Sequence, residues 1–424
     1  MNSIREAQHP CSGSILRRSL LSLRVDAMTT SPTIAMSQRA NAMRATGTDV
    51  ISMAVGEPDF ATPSRIVDAA HAAARSGFTR YTAPDGAPVI KEAVCQKLIR
   101  DNHLAYSHDE IHVASGCKQA IHNGFAATLN PGDEVIVFAP CWVSYIDIIE
   151  FCGGVAVVVP TQANTSFAPD AELFRAAITP RTKWVLLNSP NNPTGAVYSR
   201  RVIEDLAAVL APHPDILVMS DEIYEHLVYG GVRHTSILEV APDLRDRVAL
   251  INGVSKTYSM TGWRIGYAAG PAWLIEAMGR VQSQTTGSSC SVSQAAAAEA
   301  MNGDQSEVAE WVAIFKRRRD RAMAALQTSS RISVVRPDGA FYLFLDVSLC
   351  VGARAPDGEI LVNDTAVVEY LLNSANVATV PGIAFAMQNY LRLSFALDED
   401  RVAEGCQRIV EALDKLELGE GSVR

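Results

Sequence analysis

The feature that most constrains this chain is a regular alternation of short apolar runs with amphipathic helical stretches between residues 109 and 251. The helical stretches place apolar residues on one face, as Val202, Leu206 and Val209 do. Near-continuous apolar strands joined by helices predict an α/β fold whose mostly parallel sheet is covered by helices on both faces. The predicted strands are Ile111–Ala114, Glu134–Phe138, Val155–Val159, Trp184–Leu187, Ile216–Met219 and Val248–Ile251.

The C-terminal part of the chain has a different pattern. After a long helical stretch near Glu307–Gln327, two β-rich runs flank the turn pair Asp338-Gly339 and predict a hairpin. A helix and two further strands follow, so this part predicts a smaller α+β domain that the N-terminal segment completes. The hairpin runs, the helix and the strands are Ile332–Val335, Phe341–Leu345, Thr365–Ala375, Val377–Val380 and Tyr390–Ala396. The expected divisions are a flexible extension at 1–20, an N-terminal segment of the small domain at 21–60, a large domain at 61–310 and the small domain at 311–424.

Composition excludes several classes of function. A formal net charge of −9 argues against nucleic acid or an anionic membrane as a partner, and no apolar run approaches the roughly 18 residues that span a bilayer. The basic run Lys316–Arg321 is interpreted as a solvated helix face. The eight cysteines show neither CxxC spacing nor histidines at metal-ligand intervals. They predict no metal site and favour a reducing cytoplasm.

Ligands of parallel α/β sheets bind beyond the carboxyl ends of the strands, so the residues that follow each strand are the candidates for chemistry. After the first strand, Ser115-Gly116-Cys117-Lys118 opens a helix whose free N–H groups could hold a phosphate. A plain helix cap at Ser115 explains that run equally well. After the fifth strand, Asp221 and Tyr224 could be a helix cap and a core aromatic.

Two other strand ends are harder to explain as structural turns. The loop Asn188–Gly195 carries two adjacent asparagines before a proline. Lys256 follows the last core strand between small residues, and lysine is rarely buried without a task. Arg264 comes eight residues later.

Taken together, these residues resemble the fold-type-I, class I aminotransferases over nearly the whole chain, and most closely the bacterial aspartate/prephenate aminotransferase branch. The resemblance implies a mostly parallel sheet of the seven-stranded type. It also implies a cofactor, pyridoxal 5'-phosphate (PLP), which Lys256 carries as a Schiff base. The motifs that carry it are Asn191-Asn192-Pro193-Thr194-Gly195, Ser220-Asp221-Glu222-Ile223-Tyr224, Ser255-Lys256, Thr261–Tyr267, Val55–Phe60, Cys141–Tyr145 and Tyr390–Ser394.

The same resemblance implies a role for each site residue. Lys256, Asp221 and Tyr224 would be catalytic, with Asp221 on the pyridine nitrogen, Asn192 and Tyr224 on the ring oxygen, and Arg264 on the phosphate. The implied cofactor-binding set is Gly116, Cys117, Lys118, Trp142, Asn192, Asp221, Tyr224, Ser255, Lys256, Arg264 and Tyr81. The implied substrate-binding set is Gly56, Lys118, Trp142, Asn192 and Arg392. Tyr81 would reach the phosphate of a neighbouring subunit, which implies a homodimer with shared active sites.

Arg392 can also be argued from its own strand. Leu391, Leu393 and Phe395 alternate with Arg392, so the arginine points away from the core of the small domain. Its forked donors suit a substrate α-carboxylate, whereas a surface arginine is the competing interpretation.

The substrate is predicted from Lys118, because in the resembled branch a lysine there accompanies aspartate or glutamate. Three departures bear on this prediction. Thr29-Thr30 replaces a Lys-Pro pair linked with prephenate, Cys117 stands where Gly or Ser is usual, and Gly253 replaces a phosphate-binding serine for which Ser255 or Thr257 could compensate. Aromatic, alanine, kynurenine or prephenate substrates stay open, as does a PLP-dependent carbon–sulfur β-lyase.

Overall fold

The computed structural model describes residues 20–28 and 32–418, so almost all of the predicted extension at 1–20 lies outside the described residues. The strands are β1 (Ile51–Ser52), β2 (Ile111–Ala114), β3 (Glu134–Ala139), β4 (Val155–Pro160), β5 (Thr182–Asn188), β6 (Leu217–Asp221), β7 (Val248–Gly253), β8 (Gly266–Ala269), β9 (Ser333–Val334), β10 (Tyr342–Asp346), β11 (Val377–Ala378), β12 (Val380–Pro381) and β13 (Tyr390–Ser394). The α-helices are α1 (Leu23–Ala27), α2 (Pro32–Ala45), α3 (Ser64–Arg75), α4 (Pro88–Asn102), α5 (Cys117–Thr128), α6 (Ser144–Phe151), α7 (Ala171–Ala177), α8 (Arg200–Leu210), α9 (Ile237–Val240), α10 (Ala272–Thr285), α11 (Ser291–Asn302), α12 (Ser306–Leu326), α13 (Asp364–Ala375) and α14 (Glu399–Leu413). Within these two described ranges, no helix is both long and apolar enough to cross a bilayer.

The large sheet has seven strands in the order β2-β8-β7-β6-β5-β3-β4. Neighbours from β7 through β4 are parallel, whereas β8 runs antiparallel to both β7 and β2. Alternate residues of β3 enter different cores: Ile136 packs on one face, and Val135 and Val137 pack on the other. The predicted fold class is therefore confirmed. The strand β8 is not among the predicted strands, because its four residues are mostly small and directly follow an irregular loop.

The small domain contains the antiparallel sheet β12-β13-β10-β9. The N-terminal segment joins it through β1, which pairs in parallel with β11. The predicted strand Val377–Val380 serves two sheets, because β11 pairs with β1 while β12 pairs with β13. The chain thus passes from one sheet to the other within these few residues.

The interpretation of Lys316–Arg321 as a solvated face is wrong for two of its residues. Arg318 and Arg319 are only 6% and 1% exposed. Arg318 donates to both carboxylate oxygens of Asp59 at 2.7 and 2.8 Å, and Arg319 donates to the carbonyl oxygen of Pro337 at 2.9 Å. The helical period turns these two arginines inward, where dedicated acceptors compensate the buried charge.

Candidate active site

A cavity of about 280 Å³ opens where the carboxyl ends of β5, β6 and β7 meet the small domain. Eleven of the predicted site residues line it together, although they come from segments far apart in the chain. They are Gly56, Cys117, Lys118, Trp142, Asn192, Asp221, Tyr224, Ser255, Lys256, Arg264 and Arg392.

Lys256 follows β7 and extends its amine into the cavity. Its Nζ donates a hydrogen bond of 2.7 Å to the carbonyl oxygen of Gly56, on the N-terminal segment. Burial lowers the pKa of Lys256 to about 8. A substantial fraction of the amine is therefore neutral near physiological pH, as a nucleophile or a base requires.

Asp221 is the last residue of β6 and is buried at the floor of the cavity. Burial raises the pKa of this carboxyl to about 6, and the Tyr145 hydroxyl opposes that rise by donating a hydrogen bond of 2.6 Å to Oδ2. The backbone N–H of Ile223 donates to Oδ1 at 3.3 Å. These donors keep a buried acid able to carry charge close to neutral pH.

A chain of amides connects Asp221 to the small domain. Asn188 Nδ2 donates to the carbonyl oxygen of Asp221 at 3.0 Å, and Asn188 Oδ1 accepts from the backbone N–H of Asn192 at 2.9 Å. Asn192 Oδ1 in turn accepts from Arg392 Nη1 at 3.0 Å. The loop after β5 is therefore fixed in place between the floor of the cavity and the arginine.

Arg392 is 2% exposed, so the competing interpretation as a surface arginine is wrong. It does face away from the core of the small domain, but the large domain covers it. Its guanidinium carbon lies 4.6 Å from the ring centre of Tyr342 and 5.0 Å from that of Phe385. Its Nε has no hydrogen-bond partner among the described residues. A buried cation with unused donor capacity beside the cavity suits a carboxylate ligand.

The predicted phosphate cradle lies at the start of α5. Gly116, rather than Ser115, is the N-cap residue and adopts φ +91°. Arg264 crosses this turn and donates to the carbonyl oxygens of Thr261 and Ser115 at 2.9 and 3.2 Å. A Cβ at Gly116 would come within 2.4 Å of Arg264 Nη2, so a side chain there would displace the guanidinium from this turn. The free N–H groups of the helix and the guanidinium lie close enough to bind one anion together.

Cys117 and Gly253, the two residues that differ from the family pattern near the phosphate site, fit against each other. Cys117 Sγ donates to the carbonyl oxygen of Asn252 at 3.1 Å. A Cβ at Gly253 would lie 3.1 Å from that sulfur and 2.8 Å from the Cα of Gly266. The space for a side chain at position 253 is therefore already filled. Ser255 lines the cavity, whereas Thr257 is buried outside its lining.

Lys118 and Trp142 form one wall at the mouth of the cavity. Lys118 is exposed, and its Nζ lies 4.9 Å from the ring centre of the half-buried Trp142. The Trp142 ring meets the Tyr145 ring edge-on at 5.2 Å. A cation and a flat aromatic surface thus stand next to each other where a ligand enters.

Tyr81 is fully exposed and lies outside the lining of the cavity of its own chain. Gly116 is also outside the lining, behind Arg264. These are the two predicted site residues that the structure does not place on the cavity wall.

Several residues that line the cavity have no predicted role. Asn188 ends β5 and begins the loop that carries Asn192. Tyr145 belongs to the motif Cys141–Tyr145 and lies in the first turn of α6, three residues after Trp142. Tyr342 begins β10 and has no local signal, because only the packing of the two domains brings it to the site. Thr33 and Ile34 line the cavity from the first turn of α2.

Behind the cavity lies a buried charged network. Side-chain atoms of Glu222, Glu225 and His234 lie within 4.8 Å of one another. Glu225 accepts hydrogen bonds from Lys97, from Asn102 at 2.7 Å and from Asn252 at 2.6 Å. Burial alone would raise the pKa of Glu225, but Lys97 and neighbouring histidines hold it at about 2. The network thereby fixes Asn252, four residues before Lys256.

An α/β sheet with a lysine, an acid and an arginine at its strand ends, facing a buried arginine of a second domain, is the arrangement of a fold-type-I transferase. Residues 48–409 match the family model described as aminotransferase class I and II, and the chain belongs to this family.

Proteins of similar sequence and structure are also named aminotransferases. The aspartate/prephenate aminotransferase of Cereibacter sphaeroides is 46% identical and covers 89% of this chain and 95% of its own length. The crystal structure of the aspartate aminotransferase from Rhizobium meliloti superposes with a TM-score of 0.90 at 44% identity, covering 94% of this chain and 99% of that one. The aspartate aminotransferase from Thermus thermophilus with maleate gives a TM-score of 0.85 at 42% identity, covering 92% and 99%.

Proposed function

We propose that this protein is a PLP-dependent aminotransferase that moves an amino group between aspartate or glutamate and a 2-oxo acid. The observation that carries the proposal is the position of Lys256. Its partly buried amine lies in one cavity with Asp221, Arg264 and Arg392. These residues offer an acid, an anion site and a carboxylate site around a reactive lysine.

The polar residues of the cavity match the polar groups of PLP from its pyridine nitrogen to its phosphate. Asp221 would pair with the pyridine nitrogen, Asn192 and Tyr224 with the ring oxygen, and Arg264 with the phosphate. Gly116, Cys117 and Lys118 would present backbone N–H groups to that phosphate, Ser255 its hydroxyl, and Trp142 a face for the ring. When bound, PLP supplies an electron sink for the negative charge that develops at the substrate Cα.

The reaction then requires three tasks of the protein's own residues. Lys256 removes the proton from the substrate Cα and delivers it to the acceptor carbon, which needs the neutral amine that its lowered pKa provides. Arg392 and Asn192 orient the α-carboxylate. The small domain and the segment at Gly56 cover the cavity and exclude water.

The preference for acidic substrates rests on two cations. Arg392 is buried beside the cavity and Lys118 stands at its mouth, so a ligand with two carboxylates can meet both. The relatives named above act on aspartate by name, and one was solved with the dicarboxylate maleate. Thr29 and Thr30, the basis for disfavouring prephenate, lie outside the described residues.

We further propose a homodimer in which Tyr81 completes the partner's site, because its fully exposed ring serves no purpose in its own cavity. Subunit complementation tests this proposal. K256A and Y81A should each be impaired, whereas a mixture that forms hybrid dimers should regain one intact site.

A cytoplasmic location is supported by the described cysteines, which are all unpaired thiols.

The experiment that tests the function is a panel of aspartate, glutamate, alanine, phenylalanine, kynurenine and prephenate with the PLP-loaded protein. Aspartate and glutamate should convert the cofactor to its amino form fastest, with release of the matching 2-oxo acid. Release of pyruvate and ammonia from a β-substituted amino acid, without that conversion, would instead establish a β-lyase.

A further inference from the structure

Tyr342 stands at the junction of three groups of the proposed reaction. It is the first residue of β10, is 1% exposed and lines the cavity. Its hydroxyl oxygen lies 2.7 Å from that of Tyr224, with either hydroxyl able to donate. The two rings are nearly perpendicular, at 84°. The Tyr342 ring also contacts Arg392, whose guanidinium carbon is 4.6 Å from the ring centre.

The same hydroxyl touches the N-terminal segment. A Cβ at Gly56 would lie 2.1 Å from the Tyr342 oxygen, so the backbone there rests directly on the phenol. The Gly56 carbonyl oxygen accepts the hydrogen bond of Lys256. Tyr342 therefore contacts the cofactor-side tyrosine, the substrate-side arginine and the segment that holds the lysine.

We propose that the Tyr342 hydroxyl is a positioning group that fixes the orientation of the Tyr224 hydroxyl, while the Tyr342 ring independently supports Arg392. This inference rests on the proposed function, in which Tyr224 bonds the ring oxygen of PLP. Among the described residues, Tyr342 is the only side chain that hydrogen-bonds Tyr224. Without it, the buried Tyr224 hydroxyl has no second partner to set its rotation.

The proposed role of Tyr224 decides which hydroxyl donates in the hydrogen bond between Tyr224 and Tyr342. When Tyr224 donates to the cofactor's ring oxygen, the Tyr342 hydroxyl is left to donate to Tyr224. Such a chain strengthens each bond, because every donation polarises the next hydroxyl. The titratable and charged groups that act on Tyr342 are Arg392 and Tyr224. The positive charge of Arg392 over the ring makes the Tyr342 hydroxyl a better donor.

The variant Y342F separates the two roles, because it removes the hydroxyl and keeps the ring under Arg392. We expect kcat with aspartate to fall about 5- to 30-fold, the range for an unpartnered buried hydroxyl. The pH midpoint of the absorption of bound PLP should rise by about 0.3 to 1 unit, since a weaker Tyr224 donor stabilises the ring oxyanion less. The Kd for maleate, measured by titration calorimetry, should stay within about twofold, because the contact of Arg392 with the ring remains.

Y229F is a matched control. Tyr229 is also 1% exposed, has Arg319 at 5.0 Å from its ring centre and donates its hydroxyl to the carbonyl oxygen of Ala340. It lies outside the cavity lining. Y229F should lower the thermal midpoint of the apo-protein as Y342F does, without moving the absorption midpoint or kcat.

The outcomes separate the two proposals. If Y342F leaves both the absorption midpoint and kcat at the Y229F values, Tyr342 is not a positioning residue. If Y342F weakens maleate binding tenfold, the separation of ring and hydroxyl is wrong. If wild type itself neither binds PLP nor transaminates aspartate, the proposed function fails, whatever the Y342F variant does.

Discussion

Arg392 Nη1 donates a hydrogen bond of 3.0 Å to Asn192 Oδ1, although 200 residues separate the two in the chain. One belongs to the loop after β5 of the large sheet, and the other to β13 of the small domain. A carboxylate held by both residues is therefore held by both domains. Its orientation relative to Lys256 depends on how closely the domains meet.

Replacing Lys256 removes the group on which the proposed chemistry depends. We expect K256A to abolish transamination of aspartate and the pH-sensitive absorption of bound PLP, because the other lysine that lines the cavity, Lys118, stands at its mouth beside Trp142. Stopped-flow absorption and a coupled 2-oxo acid assay measure both effects. A K256A protein with full turnover would overturn the assignment.

The partly buried Lys256 should also make the stability of the apo-protein depend on pH. Its folded-state pKa of about 8 lies below its unfolded value, so the unfolded chain binds the extra proton between about pH 8 and 10.5. Stability therefore rises with pH through that window. K256M should stabilise the apo-protein by up to about 3 kcal/mol at pH 7, with the gain shrinking toward pH 10.5. A gain independent of pH in thermal unfolding would contradict this account.

Tyr145 should control the charge of Asp221. Y145F removes the donor that opposes the effect of burial, so the pKa of Asp221 should rise above about 6. We expect the Kd for PLP to increase about 10-fold near pH 6 and less at pH 8, where the carboxyl ionises in either protein. Fluorescence titration of the apo-protein with PLP measures this dependence. Equal losses at both pH values would show that Tyr145 acts on packing alone.

Gly116 should be needed for its contact and not only for its backbone angle. Gly116 and Gly132 share φ +91°, but only at Gly116 would a Cβ meet Arg264, at 2.4 Å, while Gly132 faces open space. Both G116A and G132A should lose stability because their positive φ disfavours a side chain, and the loss at Gly116 should be about 1–3 kcal/mol, since its ψ of 161° places it in a region that essentially only glycine adopts. Only G116A should weaken PLP binding, by displacing Arg264. Similar Kd values for PLP in the two variants would refute a role of this turn in the anion site.

Lys118 should discriminate acidic from neutral substrates. A charge-assisted contact contributes about 1.5–3 kcal/mol, so K118A should reduce kcat/KM for aspartate about 10- to 100-fold. The losses with alanine and phenylalanine should be much smaller, because these donors offer Lys118 no carboxylate. The ratio of kcat/KM values is the measurement. Equal losses across the three donors would remove the argument for a dicarboxylate substrate.

Much of the fold and most of the site could be predicted because the signals are local. Apolar strand runs, helical periods and the residues just after each strand identified the sheet and placed Lys256 and Asp221 at one edge. The strand β8 is short and built mainly from small residues, so its sequence carries no strand signal. The run Val377–Val380 reads as one strand, although it divides between two sheets. Both depend on which partner strand is available, and that is not encoded in the run itself.

The sequence by itself determined the α/β architecture, because its apolar strand runs are local, and its family motifs predicted the roles of Lys256, Asp221 and Arg264. Only the tertiary structure decided that Arg392 is buried, that Arg318 and Arg319 turn inward, and that Tyr342 meets Tyr224 and Gly56. The physical reason is that these contacts cross between domains. Their distances are fixed by the packing of the small domain against the large sheet, which no local pattern of residues specifies.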